Sequence, residues 1–192
     1  MATELNFLHQ QIHKSRTNIL KCFKSINYNT SPFENIDFAT TKQMCGSKHA
    51  NIMNITLNKL NHSPSAESTN DPISDPNARI FIHYHIQFQS PTKHSVFKAI
   101  TVYDIVNTYK IEKNMKTNDT LVIIIVNEVN DTMQQKLIEI WEKEKIFVNI
   151  ISLSQLQFCV QEHTLVPKHT PLSDDDKTKI LEQYYIKNNN EL

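Results

Sequence analysis

Residues 121–126 read LVIIIV, and residues 146–151 read IFVNII. A continuous β-branched run of this kind is typical of a strand that is covered on both faces of a sheet. The second run follows after a polar, helix-length interval, and the whole unit spans about 30 residues. We therefore predict two parallel strands joined by a right-handed helical crossover.

The interval between these strands is predicted to form a helix. The helix is predicted to begin at Asp131 and Thr132, and Gln134 or Gln135 lies at the position that completes a capping box. Its inner stripe is predicted from the three-four spacing of four apolar residues: Met133, Leu137, Ile140 and Trp141.

Four more elements precede this unit. An amphipathic helix is predicted over residues 5–26, with Asn27 as a left-handed cap. Strands are predicted over 52–60 and 80–88, and a long polar loop at 62–78 separates them. In the second strand, alternation places Ile80, Ile82, Tyr84, Ile86 and Phe88 on one face, and Phe81, His83, His85 and Gln87 on the other.

A further helix is predicted at 99–112, with Val102, Ile105, Val106 and Tyr109 facing inward. After a short helical turn at 154–157, residues 158–169 are predicted to be extended. Ser173 is predicted to cap a last helix. The inner face of that helix is predicted to comprise Ile180, Leu181 and Tyr184.

Composition limits the classes of function. The chain has 192 residues, a formal net charge of zero and a single glycine. Its pI is near 7.1, which argues against an autonomous, non-specific nucleic-acid binder. Cys22, Cys45 and Cys159 are sparse and form no C-x-x-C motif, which suggests a reducing compartment. We found no signal peptide and no membrane-length apolar run, so we predict no membrane partner.

The residues of the chain favour a protein without a cofactor, a metal or a small-molecule ligand. A single glycine excludes a phosphate loop and a dinucleotide fingerprint. His83 and His85 share a strand face and have the spacing of a metal pair. They have no acidic or cysteine partner at matching spacing, so residues lining a half-buried sheet face are the favoured interpretation.

Two other functions remain open from the residues alone. A divergent metal-dependent nuclease would need carboxylates such as Asp104 or Asp119 beside a lysine. The predicted strands carry almost no acidic residues, so we rank this alternative below a protein without catalytic activity. A generic α/β interaction module is the third hypothesis.

The segment EHTLVPKH at 162–169 resembles a signature of the fifth subunit that the eukaryotic nuclear RNA polymerases share and that has a counterpart in the archaeal enzyme. The likeness continues through the acidic-capped helix that follows. Weaker likeness covers KSRTNILKCFKSINY, FKAITVYDIVNTY and TLVIIIVNEVNDTMQQKL, and so extends over most of the chain.

The resemblance implies a non-catalytic polymerase subunit with two parts. Residues 1–160 would form a three-layer α/β jaw domain with a partly parallel sheet, flanking downstream double-stranded DNA. Residues 161–192 would begin a small α+β assembly domain that anchors to the largest subunit and lies among other polymerase subunits. The partner-binding residues carried over from the family signature are His163, Leu165, Val166, Pro167 and His169.

The family also places the loop after the LVIIIV strand close to DNA. The corresponding residues here are Asn130, Asp131 and Thr132. This loop is acidic and has no basic residue before Lys136, so electrostatic repulsion from phosphate opposes a DNA contact there.

Two expectations concern the source and extent of the protein. Abundant Asn, Ile and Lys suggest an AT-rich genome, which fits a large DNA virus as well as a cell. The location would be the nucleus for a cellular protein, and the virion and host cytoplasm for a viral one. The family continues beyond the position of Leu192, so we expect the sequence to be a fragment.

Overall fold

The computed structural model describes five stretches of the chain: residues 2–46, 50–60, 77–86, 97–167 and 174–184. The chain separates into two units, Met1–Cys159 and Val160–Leu192. Whether these units act as the predicted jaw and assembly domains stays a prediction.

A four-stranded sheet is the centre of the first unit. The strands lie in the order β1-β2-β3-β4. β1 is antiparallel to β2, whereas β2 with β3 and β3 with β4 are parallel. This arrangement confirms the predicted α/β fold with a partly parallel sheet. The bounds are β1 Ile55–Asn58, β2 Arg79–His85, β3 Thr120–Ile125 and β4 Phe147–Ser152.

Four α-helices of the first unit and one of the second are described. The bounds are α1 Ala2–Ser25, α2 Phe38–Gly46, α3 Ala99–Glu112, α4 Asp131–Glu144 and, in the second unit, α5 Asp174–Gln183. Short 3-10 turns lie at Ser31–Phe33, Ala50–Met53, Gln155–Gln157 and Val160–Glu162.

The sheet is covered on both faces, which explains the uninterrupted apolar sequence of β3. Val122 and Ile124 point into a core shared with α1. Leu121, Ile123 and Ile125 point into a second core shared with α3 and α4. Because the side chains of a strand alternate between its faces, only an apolar residue at every position satisfies both cores.

β2 confirms the predicted alternation within its described residues. Ile80, Ile82 and Tyr84 enter the α1 core, and Phe81 enters the opposite core. The strand ends at His85, and Gln87 and Phe88 lie outside the described residues.

The helices confirm most of the predicted pattern. α3 has the predicted bounds, and Val102, Ile105, Val106 and Tyr109 are its buried residues. α1 is followed by Asn27 at φ 66°, the left-handed conformation that asparagine tolerates better than most residues. The helical turn at Gln155–Gln157 is also present.

The prediction that Trp141 belongs to the inner face of α4 was wrong. Met133 and Ile140 are buried and Leu137 packs against the same core, but Trp141 is 48% exposed. Its indole ring lies edge-on to Phe147, with the ring centroids 6.4 Å apart, and the Lys145 ammonium lies 5.9 Å from it. A residue next to Ile140 is turned about 100° around the helix axis, which carries this ring out of the core.

Two further predictions differ from the structure. The strand predicted over 52–60 is divided, because Ala50–Met53 forms a 3-10 turn and β1 spans only Ile55–Asn58. On α5, Ile180 and Leu181 are half-buried as an inner face requires, but Tyr184 is 67% exposed. The predicted cap Ser173 and most of the loop at 62–78 lie outside the described residues.

Candidate partner-binding segment

Residues 163–167, named here the docking segment, form a compact turn. The preceding residues, Val160–Glu162, make a 3-10 turn. The His163 amide donates to the Val160 carbonyl at 3.1 Å, and the Val166 amide donates to the His163 carbonyl at 2.9 Å. The prediction of an extended conformation was therefore wrong for this stretch.

The side chain of His163 reinforces the turn. Its Nδ1 accepts a hydrogen bond from the Leu165 amide at 3.2 Å, so this nitrogen is unprotonated in the tautomer that makes the bond. With its backbone held in this way, Leu165 projects into solvent and is 85% exposed. Pro167 is also exposed and has no amide proton to satisfy.

The docking segment thus presents three consecutive apolar residues in a fixed conformation. Leu165 and Pro167 are exposed, and Val166 is half-buried. Isolated exposed apolar residues are common on protein surfaces, but adjoining ones often mark interaction sites. A turn that is already hydrogen-bonded also loses less conformational entropy on binding than a free chain does. His169 lies outside the described residues, so its predicted role stays a prediction.

Comparison with known families places this segment inside a recognised domain. Residues 158–190 match the family model described as RNA polymerase Rpb5, C-terminal domain. This part of the chain, residues 158–190, is similar to the Rpb5 family. The match confirms the resemblance predicted from EHTLVPKH, and no curated protein matches the chain.

The match to the Rpb5 C-terminal domain indicates the general function of the chain. It implies a subunit of RNA polymerase that acts in transcription and associates with other polymerase subunits. The particular roles of His163, Leu165, Val166 and Pro167 in that association stay predictions.

The loop that the Rpb5 resemblance places near DNA has a defined structural role. Asn130 is the N-cap of α4, and its Oδ1 accepts a hydrogen bond from the Met133 amide at 3.0 Å. The predicted capping box is therefore replaced by an asparagine cap one residue earlier. Asp131 lies in the first helical turn, where a negative charge interacts favourably with the helix dipole. A contact of Asn130, Asp131 or Thr132 with DNA stays a prediction.

His83 and His85 lie in a cleft of about 390 Å³ between the sheet and α3. The Oδ1 of Asn54 accepts a hydrogen bond from the Tyr84 backbone amide. This bond orients the Asn54 side chain so that its Nδ2 donates to the Nδ1 of His83, at a distance of 3.1 Å. The Tyr109 hydroxyl lies 3.2 Å from the same nitrogen. Burial and, to a lesser degree, His85 lower the pKa of His83 to about 4, so the ring is neutral at pH 7.

These contacts give His83 a structural role at the sheet face. Among the residues that the structure describes, no group of three or more His, Cys, Asp or Glu side chains has the geometry to hold a metal ion. Likewise, none of the described helices is long and apolar enough to span a membrane.

Asp119, a carboxylate that the nuclease hypothesis would use, is fully engaged in holding the fold. Its side chain is 3% exposed and forms an ion pair with Arg79 at 2.7 Å. It also accepts from the backbone amides of Arg79 and Lys116, at 2.9 and 2.8 Å. This carboxylate therefore fixes the start of β2 to the turn before β3.

Proposed function

We propose that this chain is a non-catalytic, structural subunit of a DNA-dependent RNA polymerase. It docks on the largest subunit through the docking segment, and its first unit forms the lower jaw near downstream DNA during transcription. The observation that carries this proposal is the exposure of Leu165, within the matched Rpb5 domain, on a turn fixed by its own hydrogen bonds.

Docking would move the Leu165 side chain from water into an apolar pocket. In the isolated chain its side chain is in water, and a partner pocket that covers it gains about 1.5–3 kcal/mol of hydrophobic free energy. Val166 and Pro167 extend the same apolar surface. A large partner with a matching pocket is therefore favoured over a small polar one.

The proposed relation to DNA is indirect. The chain has no net charge, so attraction to phosphate from the whole molecule is weak. In this proposal the polymerase places the jaw beside the duplex, and the jaw braces the cleft. The proposed location follows that of the polymerase: the nucleus for a cellular source, and the virion and host cytoplasm for a viral one.

A co-purification experiment with a matched control tests the docking segment. Leu165→Asp places a charge where the proposal requires an apolar contact, and we expect recovery of the largest polymerase subunit to fall at least about tenfold. Ile111→Asp is the control, because Ile111 on α3 is 84% exposed, nearly the same as Leu165 at 85%. We expect this variant to recover the largest subunit as the wild type does.

The two substitutions separate docking from general surface effects. Equal recovery of the largest subunit by wild type and Leu165→Asp would remove the docking segment from the interface. Equal losses with both substitutions would show a general effect of added charge and would also contradict the proposal. Circular dichroism of each purified variant establishes that the fold is retained.

A further inference from the structure

A groove of about 270 Å³ runs beside α1, away from the docking segment in sequence. One wall is α1, and the other is formed by residues 33–36. Its lining includes an arginine, two lysines and a histidine beside apolar side chains: Arg16, Lys21, Lys24, His13, Leu20 and Phe33.

Arg16 is the unusual residue of this groove, because its charge is buried. It is only 4% exposed, and its Nη1 donates to the Met53 carbonyl at 3.3 Å. Its Nε is buried and has no hydrogen-bond partner. The Phe33 ring, with its centroid 6.0 Å from the guanidinium carbon, is the cation–π contact of Arg16. Across the described ranges, no carboxylate forms an ion pair with Arg16.

The groups nearest to this guanidinium do not supply a negative charge at neutral pH. Burial raises the pKa of the Cys45 thiol to about 11 and that of the Tyr84 hydroxyl to about 12. Glu34 also lines the groove, but its carboxylate accepts from Thr30 and forms an ion pair with Lys24 at 3.0 Å. Arginine stays protonated in proteins, so Arg16 carries a buried positive charge that no anionic side chain among the described residues neutralises.

We propose that this groove binds a small oxyanion ligand, a phosphate or a carboxylate, with Arg16 as its principal contact. Buried charges in proteins are normally paired, and the planar guanidinium matches two oxygens of a phosphate or carboxylate. A volume of about 270 Å³ accommodates an anion of this size but not a folded partner. The site is independent of polymerase docking, and it assigns a ligand where the sequence predicted none.

Side-chain NMR tests this site directly, because Arg16 and Arg79 are the two arginines of the chain. In the ¹⁵N-labelled full chain, each gives one Nε–Hε signal, and Arg16→Lys identifies the Arg16 signal by removing it. We expect inorganic phosphate, pyrophosphate or glutarate to shift the Arg16 signal saturably at millimolar concentration. The Arg79 guanidinium is already paired with Asp119 and is expected to stay unchanged.

The choice of anion distinguishes the two ligand chemistries. A saturable shift with phosphate and pyrophosphate alone identifies a phosphate site, whereas a shift with glutarate alone identifies a carboxylate site. Sodium chloride at matched ionic strength is the control. The proposal is overturned if no anion gives a saturable shift, if chloride gives the same shift, or if both arginine signals move together.

Thermal unfolding provides a second measurement. The anion that shifts the Arg16 signal is expected to raise the Tm of wild type, because a ligand that binds the folded state stabilises it. Arg16→Met is expected to lose this rise, whereas Lys14→Gln, an exposed position on the same helix outside the groove lining, is expected to keep it. A rise that persists in Arg16→Met would contradict the assignment.

Discussion

β3 and the docking segment are both short apolar stretches, yet their surroundings are opposite. Every residue of β3 from Leu121 to Ile125 is buried between two cores of its own unit. Leu165 is 85% exposed. Apolar composition therefore does not distinguish a stretch that stabilises the fold from one that we propose to bind a partner, whereas its position in the structure does.

The largest expected effect separates these stretches by stability. Ile124→Ala removes a fully buried side chain, and we expect it to lower the free energy of unfolding by about 2–5 kcal/mol. Leu165→Ala removes a side chain that is already in water, and we expect a change within about 0.5 kcal/mol. Urea denaturation of the two variants measures both values. A loss at Leu165 as large as that at Ile124 would break the comparison.

The second prediction concerns the effect of pH on the stability of the sheet that contains β3, through the buried residue His83. His83 is held neutral because burial lowers its pKa from 6.5 to about 4. The unfolded chain therefore binds a proton between these values that the folded chain does not, so stability is lost as pH falls from 6.5 towards 4. We expect His83 to account for at most about 3 kcal/mol of this loss.

The measurement is the difference in unfolding free energy between pH 7 and pH 4.5 for wild type and His83→Gln. We expect a smaller decrease in the variant, although not zero, because burial also lowers the pKa of His85 and His9. Thr17→Ser, at an exposed position of α1 without a titratable group, is the control and is expected to follow wild type. If His83→Gln has the same pH dependence as wild type, His83 is not the group that titrates.

The smallest expected change in stability concerns Asn130, which is exposed but caps a helix. Asn130→Ala removes the cap of α4 and is expected to cost about 1 kcal/mol of unfolding free energy. Asn130→Asp retains an acceptor for the Met133 amide and is expected to be nearly neutral. Thermal unfolding compares the two variants. Equal Tm values for wild type and Asn130→Ala would mean that the cap does not contribute to stability.

The sequence predicted the structure correctly where buried residues recur at the regular spacing of a helix or a strand. α3 and the alternating faces of β2 were predicted because each buried residue recurs at the spacing of its element. Asn27 was predicted as a left-handed residue because few other residues tolerate that conformation. The family signature at 162–169 is recognisable from the sequence alone because its residues are contiguous and occur in a fixed order.

The failures have local causes that periodicity does not capture. α2 was not predicted, since its sequence FATTKQMCG has a weak apolar stripe and buries only Thr41 and Cys45 among its residues. The Thr40 amide donates to the Asp37 side chain at 2.8 Å, and an aspartate at that position was the signal that could have located the helix start.

The turn of the docking segment and the Arg16 groove were missed for a related reason. The turn at His163 depends on a hydrogen bond from the Leu165 amide to the His163 ring, which is a contact between particular atoms rather than a pattern. A charged residue on an amphipathic helix is expected to face solvent, and only the structure shows that Arg16 is buried.

The strand order has a consequence during synthesis of the protein. β3 pairs with β4, which begins 22 residues after β3 ends, on the far side of α4. Until those residues leave the ribosome, one edge of β3 has no partner, and its backbone amide and carbonyl groups on that side are unpaired. Translation adds about 5–20 residues per second, so this edge stays unpaired for on the order of seconds before β4 can complete the sheet.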